Sequence, residues 1–231
     1  MALLSWLICA GLSIGPAAGA LADTPAELPL VRVAAATAAP KGPLLLLLTG
    51  DGDWVEYMSN LAAAAAAAGS PVLGLKSRSY LSEPRKPDEV AAALEKAVRR
   101  ALADWQRDDL VIVGYSRGAD MAAFIVNRWP DDLRARVRGI GFIGLSEDAS
   151  FEFHFDDLVR EVHRPTDVPT RPELEKLTGI PLVCVRGERE HDSFCEQPVA
   201  GMQVATHTGG HRGTSDDGSI AAVLRALGIV R

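Results

Sequence analysis

The stretch Leu110 to Gly118, Leu-Val-Ile-Val-Gly-Tyr-Ser-Arg-Gly, constrains the fold more than any other part of the chain. Its four leading apolar residues predict a central parallel strand covered on both faces. Gly114-Tyr115-Ser116-Arg117-Gly118 then fits the G-x-S-x-G nucleophile elbow, and the residues from Ala119 to Val126 predict a helix directly behind it. In such a turn the glycines leave room for a strained backbone at the middle residue. Ser116 Oγ would then stand exposed at the carboxyl end of the strand, near the positive end of the following helix.

The rest of the chain alternates strands and helices around this element. Leu44 to Leu48 is a five-leucine run that predicts a first central strand, after a Pro-, Ala- and Thr-rich lead-in over 23–43 that is expected to be mobile, with one short strand near Leu30 to Val33. A helix from Trp54 to Ala68, a strand from Pro71 to Leu75, a polar turn from Lys76 to Tyr80 and a helix opened by Pro87 follow. Beyond the elbow come strands over Gly139 to Leu145, Pro181 to Arg186 and Met202 to Thr206. A closing helix from Ser215 to Leu227 has Ser215 as its cap and Asp216-Asp217 in its first turn. This rhythm predicts an α/β fold with a mostly parallel, doubly wound sheet, all of whose strands end on one side. Ser146 to Gly179 breaks the rhythm as a small insertion after the fourth core strand. Within it Phe151-Glu152-Phe153-His154-Phe155 alternates like an edge strand or hairpin, and the segment is expected to form a lid or wall over the site.

A chain of 231 residues with 48% hydrophobic residues can bury one sizeable core, so 44–231 is expected to be a single domain. The net charge of −6 argues against nucleic acid, whose phosphates require a basic face. Residues 1–22 read as a cleaved signal peptide: Leu3 to Ile14 is apolar but short, Gly15-Pro16 breaks it, and Ala20-Leu21-Ala22 has the small-x-small cleavage pattern. Loss of that segment removes Cys9 and leaves Cys184 and Cys195. In an oxidising compartment these two are expected to pair. Closing so short a loop removes unfolded-state entropy worth on the order of 3 kcal/mol.

A serine hydroxyl becomes an effective nucleophile only beside a histidine base that a carboxylate orients. The chain order serine, acid, histidine found here is that of α/β-hydrolases. His211, after the last strand, is the candidate base, with Gly209-Gly210 letting its backbone approach the serine and His207 as a rival better suited to packing. The acid should follow the strand ending at Arg186. Asp192 is the first choice, ahead of Glu190 and Glu188, because the Cys184–Cys195 loop would hold it at a fixed angle. The oxyanion hole needs two backbone N–H groups, expected from Arg117 and from Asp51 or Gly52. This chemistry requires no cofactor and no metal, and the sequence has no paired Cys/His spacing suited to zinc.

These residues also resemble a known family. Gly50-Asp51-Gly52 with Trp54, the elbow Gly-Tyr-Ser-Arg-Gly-Ala-Asp ending in Asp120, Asn127-Arg128, Gly187-Glu188 leading to Asp192-Ser193 and Cys195, and Gly209-Gly210-His211 are similar to the bacterial virulence protein VirJ and the carboxyl-terminal half of AcvB. The similarity covers nearly the whole mature chain. It implies a periplasmic α/β-hydrolase that releases lysine from lysyl-phosphatidylglycerol at the membrane surface, some members being linked to type IV secretion, whose components are then candidate partners. Asp53 stands where the family is expected to carry glycine, and Arg212 where a second histidine is common. Gly52, Asp53, Tyr115, Asp120 and Arg78 are the candidate substrate contacts. Lys76, Arg78, Arg85 and Lys86 could meet a lipid phosphate. A general carboxylesterase or thioesterase is the competing enzyme reading, and a non-catalytic periplasmic partner of a secretion system the reading from another class.

Overall fold

The computed structural model describes residues 28–36, 41–158, 162–211 and 218–230. The signal segment, Arg212 and the Ser215 cap with Asp216-Asp217 lie outside the described residues. Along the chain come β1 (Leu30–Val33), β2 (Leu44–Leu48), α1 (Glu56–Ala67), β3 (Val72–Leu75), the single helical turn α2 (Ser77–Tyr80) and α3 (Pro87–Trp105). They are followed by β4 (Leu110–Tyr115), α4 (Arg117–Asn127), the short α5 (Asp131–Arg134) and β5 (Val137–Ile143). The two-residue strands β6 (Asp148–Ala149) and β7 (Val168–Pro169) and the short α6 (Arg171–Glu175) form the insertion. β8 (Leu182–Gly187), β9 (Gln203–His207) and α7 (Ser219–Ala226) close the fold.

Seven strands make one sheet in the order β1-β3-β2-β4-β5-β8-β9. Only β1 runs antiparallel, against β3 at one edge, and this is the short strand expected in the lead-in. β2, every residue of it fully buried, shows why the leucine run is uninterrupted. Leu44, Leu46 and Leu48 pack on one face with residues of α3 and α4, while Leu45 and Leu47 pack on the other with residues of α1 and α7. With both faces covered, no position along the strand tolerates a polar side chain. α3 begins at Pro87, where a missing N–H costs nothing, with Glu89 accepting the Lys86 N–H at 3.0 Å. Its Val90, Leu94, Val98, Ala101 and Leu102 are buried, the face that the 3.6-residue period selects. No helix among the described residues is long and apolar enough to cross a membrane.

The chain leaves β2 in one direction, to β3, and resumes on its other side with β4. The loops after β2 and β4 therefore lie side by side at the carboxyl ends, where an open α/β sheet presents its ligand crevice.

Two expectations about local structure are corrected. Lys76 to Tyr80 is not a plain turn but contains α2. Phe151 to Phe155 is not an edge strand, because its backbone groups go elsewhere: Phe151 C=O accepts from Arg85 N–H at 3.0 Å and Phe153 N–H donates to Leu81 C=O at 2.8 Å. The alternation does not mark a buried face, since Phe155 is 81% exposed. Phe151 is buried edge-on against Phe124 at 5.3 Å, and Phe153 packs on Phe155. This strap and α6 are tied to the body of the fold through α4. Asn127 Nδ2 donates to the Glu173 carbonyl and carboxylate at 2.8 and 2.7 Å, which gives the Asn127-Arg128 pair a structural task. Burial raises the Glu173 carboxyl, but hydrogen bonds from Lys176 and Asn127 and the Arg128 charge outweigh it and hold the group below its ordinary range.

Candidate active site

Ser116 sits between β4 and α4 with φ +51° and ψ −125°, a conformation few non-glycine residues adopt. The two flanking glycines make it possible. A Cβ on Gly118 would lie 2.2 Å from the Leu48 carbonyl oxygen, and one on Gly114 2.5 Å from the Ala119 Cα. The Ser116 N–H donates to Ile143 C=O at 2.8 Å, fixing the elbow to the neighbouring strand. α4 starts at Arg117, two residues earlier than expected, so Ser116 is its N-cap residue and lies at the helix's positive end.

His211 reaches this serine from the loop after β9. Its Nε2 is 2.9 Å from Ser116 Oγ and its Nδ1 is 2.7 Å from Glu190 Oε1. An ionised carboxylate can only accept, so Nδ1 carries the proton and Nε2 is the acceptor facing the hydroxyl. Room for the ring comes from Gly144, where a Cβ would lie 2.8 Å from His211 Cε1. Tyr115 supports the same loop, its ring 6.2 Å from the imidazole and 5.3 Å from Tyr57. His207, at the end of β9, is buried, with Nδ1 2.9 Å from the Thr208 carbonyl, a packing position as the sequence suggests.

The carboxylate that meets His211 is Glu190, and Asp192, the sequence-based first choice, is exposed beyond it. The correction has a local cause. β8 ends at Gly187, the Glu190 N–H donates back to the Gly187 carbonyl at 3.1 Å, and Glu190 Oε2 accepts the Gly187 N–H at 3.0 Å. This tight turn folds the side chain three residues past the strand end back toward the sheet. A side chain two residues further on has left the turn. Glu188, the third candidate, is also exposed.

The Glu190 side chain is 3% exposed. Burial pushes its carboxyl up, but the hydrogen bonds from His211 and the Gly187 N–H, with the His211 and His207 charges, outweigh that and hold it below its ordinary 4.5. A depressed folded-state value stabilises the fold above the unfolded value, and that contribution is lost as pH falls through the depressed one. On acidification below 4.5, wild-type protein is therefore expected to lose more stability than Glu190→Gln, as denaturant midpoints at a series of pH values will show.

Cys184 and Cys195 form a disulfide with Cα atoms 5.6 Å apart, bracketing Glu190. Arg186 Nη1 adds a second restraint by donating to the Glu190 carbonyl at 3.0 Å and to Glu196 Oε1 at 3.1 Å. Both cysteines are buried, so thiol labelling is informative only on unfolded protein. Labelled in denaturant without reductant, neither cysteine is expected to react, and both should react after reduction.

Asp51 and Gly52 are the central residues of a turn closed by the Asp53 N–H on the Gly50 carbonyl at 3.0 Å. Gly50 runs against Ser116, since a Cβ there would be 3.0 Å from Ser116 Cβ. The other candidate substrate contacts separate. Asp53 is buried with φ +54°, its carboxylate accepting from Ser79 N–H at 3.1 Å and Ser79 O–H at 2.5 Å, so it pins the turn rather than facing a ligand. Asp120 is buried too and accepts the Ser146 N–H at 2.8 Å, holding the start of the insertion. Arg78 lies at the rim, 3.6 Å from Asp53 and over the Phe153 ring at 5.8 Å. Arg85 is committed to the Tyr80 carbonyl at 2.9 Å, while Lys86 is exposed.

A parallel sheet with this elbow and a serine–histidine–carboxylate chain at its carboxyl ends defines the α/β-hydrolase fold. Solved structures agree. The chain is similar to MenH from S. aureus (TM-score 0.64, 11% identity, covering 86% of this chain and 97% of that one). It is also similar to an alpha/beta hydrolase from Novosphingobium aromaticivorans (0.58, 16%, 87% and 93%) and to the esterase domain of a Rhodothermus marinus protein (0.58, 13%, 84% and 88%). None of the curated proteins matches the sequence. Residues 43–228 match the family described as bacterial virulence protein (VirJ), and the chain belongs to that family.

Proposed function

We propose that the protein is a periplasmic serine esterase that hydrolyses the aminoacyl ester of phosphatidylglycerol, with Ser116 as nucleophile, His211 as base and Glu190 as the orienting acid. The observation that carries this reading is the hydrogen-bonded chain from Ser116 Oγ through both imidazole nitrogens to a buried carboxylate. As Oγ attacks the ester carbonyl, its proton passes to Nε2, and the carbonyl oxygen takes up negative charge facing the N–H groups of Arg117 and of Asp51 or Gly52. Collapse of that intermediate expels the glycerol hydroxyl of the head group, which takes the proton from Nε2. Water then repeats the sequence on the aminoacyl-serine ester and frees lysine and Ser116.

The resemblance to VirJ and AcvB is what suggests the substrate, and the disulfide supports an oxidising compartment. Arg78 at the rim and the exposed Lys86 are suited to the lipid phosphate, and the net negative charge favours a lysyl cation. Incubation of purified mature protein with lysyl-phosphatidylglycerol, followed by mass spectrometry of the lipid, tests the reading. Phosphatidylglycerol and free lysine should appear together. Turnover of short soluble esters with the aminoacyl lipid left intact would favour the general esterase or thioesterase reading. No turnover of either would favour a non-catalytic partner of a secretion system.

A further inference from the structure

Arg117 follows the nucleophile, and its side chain does not point to solvent. The side chain is 7% exposed, and its guanidinium lies between the two loops that border Ser116. Its Nε–H and Nη2–H donate in parallel to the two oxygens of the Asp51 carboxylate, the second at 3.1 Å. Nη1 donates to the carbonyls of Ser150 and Glu152 at 3.2 and 3.0 Å. A planar guanidinium engaged on both sides has little freedom, and bidentate pairing fixes the direction of the carboxylate as well as its distance.

The consequence lies in the backbone. The N–H groups expected to form the oxyanion hole, those of Arg117 and of Asp51 or Gly52, come from different loops, after β4 and after β2. The β2–β4 register levels the strands as far as Leu48 and Gly114, and Gly50 packs on Ser116, but the Asp51–Gly52 turn lies beyond both, where hydrogen bonding to a developing charge requires placement to within a few tenths of an ångström. The side chains of Arg117 and Asp51 supply that placement. We propose that Arg117 is a positioning residue: its guanidinium, held by Asp51 and by the Ser150–Glu152 strap, sets the Asp51–Gly52 turn against Ser116 and so builds the oxyanion hole before substrate arrives. Asp53, bonded to Ser79, fixes the far end of the same turn. The elbow pattern leaves the residue after serine unspecified, so the clamp is a feature of this chain's own residues.

The proposal rests on the serine-esterase reading, and its test separates the two. The readouts are kcat and KM for 4-nitrophenyl acetate and the inhibition constant of an arylboronic acid, whose tetrahedral serine adduct places an oxygen in the oxyanion hole. Arg117→Met keeps an apolar stem without donors. Asp51→Asn keeps the shape but sets an amide N–H against a guanidinium N–H. Each should lower kcat on the order of 10²-fold, with KM within about threefold, because the loss is confined to the transition state. Boronate affinity should weaken in parallel, and the double variant should fall no more than about threefold below the worse single one, since both remove one contact. Single variants within threefold of wild type in kcat and boronate affinity, or a double variant equal to the product of the singles, would overturn the proposal. If Arg117→Met does not fold, Asp51→Asn decides by the same kcat and boronate criteria. Equal turnover by wild type and Ser116→Ala would instead defeat the serine reading and the clamp with it.

Discussion

Ser116→Ala is expected to remove ester turnover, by on the order of 10⁶-fold in kcat, while leaving the thermal midpoint close to that of wild type. The two halves of this expectation have separate causes. Turnover depends on an oxygen that can both give up its proton to His211 and bond to the substrate carbonyl carbon, and alanine has none. The fold does not depend on that oxygen: its bond to His211 joins a side chain that is 45% exposed, and a hydrogen bond in such a position contributes about 0.5–1.5 kcal/mol net. The elbow is held by the Gly114 and Gly118 contacts and the Ser116 N–H, which the substitution leaves in place. Kinetics on a short soluble ester and a melting curve check the pair, and activity within tenfold of wild type would remove Ser116 from the mechanism.

The second large effect separates the acids. Glu190→Gln is expected to lower kcat by about 10³–10⁴ with little change in KM, as for the loss of an orienting carboxylate in other triads. The geometry says why a near-isosteric amide fails. Glu190 accepts from two donors at once, the His211 Nδ1–H through one oxygen and the Gly187 N–H through the other. Glutamine has one acceptor oxygen. If it keeps Gly187, its amide N–H faces Nδ1 and selects the tautomer whose Nε2 is protonated, which cannot take the serine proton. If it keeps His211, the Gly187 N–H is left opposite another donor, and no negative charge stabilises the imidazolium in either case. Asp192→Asn and Glu188→Gln should cost less than about tenfold, because exposed carboxylates act through solvent and salt. A large loss at Asp192 with near-normal Glu190→Gln would return the acid to the residue that the sequence favours.

That reversal shows where the sequence is informative. Elements whose burial leaves a regular pattern are legible: the five leucines of β2, covered on both faces, and the one apolar face of the Pro87-initiated α3 appear in the structure as the pattern predicts. The elbow is legible because its glycines are demanded: a Cβ at either would lie 2.2–2.5 Å from backbone atoms, closer than any side chain can sit. His211 is found from its place after the last strand. The choice among Glu188, Glu190 and Asp192 turns on one reverse turn at Gly187, and three acids in a five-residue window carry no periodicity to rank them. The signal that could have ranked them is the strand-terminal glycine, which places the residue three positions later over its own N–H. Phe151 to Phe155 misleads for a different reason. Its alternation marks no buried face, because Phe155 is exposed, and a strap across loops can carry such a pattern without a partner strand. Asp53 and Asp120 read as ligand contacts because they are carboxylates in motif positions. Both accept from backbone N–H groups, Asp53 also from a hydroxyl, on segments 26 residues away, and residue type alone gives no hint of these bonds.

The central claim is that Ser116 is a nucleophile activated by the His211–Glu190 pair, and reaction with a fluorophosphonate tests it most directly. Attack by Oγ on phosphorus expels fluoride and leaves a stable serine phosphonate, with the hydroxyl proton passing to His211. Peptide mass spectrometry of the folded wild-type protein should place a single adduct on Ser116. Labelling should be absent in Ser116→Ala and after unfolding, and slowed in Glu190→Gln far more than in Asp192→Asn. Unmodified Ser116 in the folded protein, or an adduct that forms equally well after unfolding, would contradict the account.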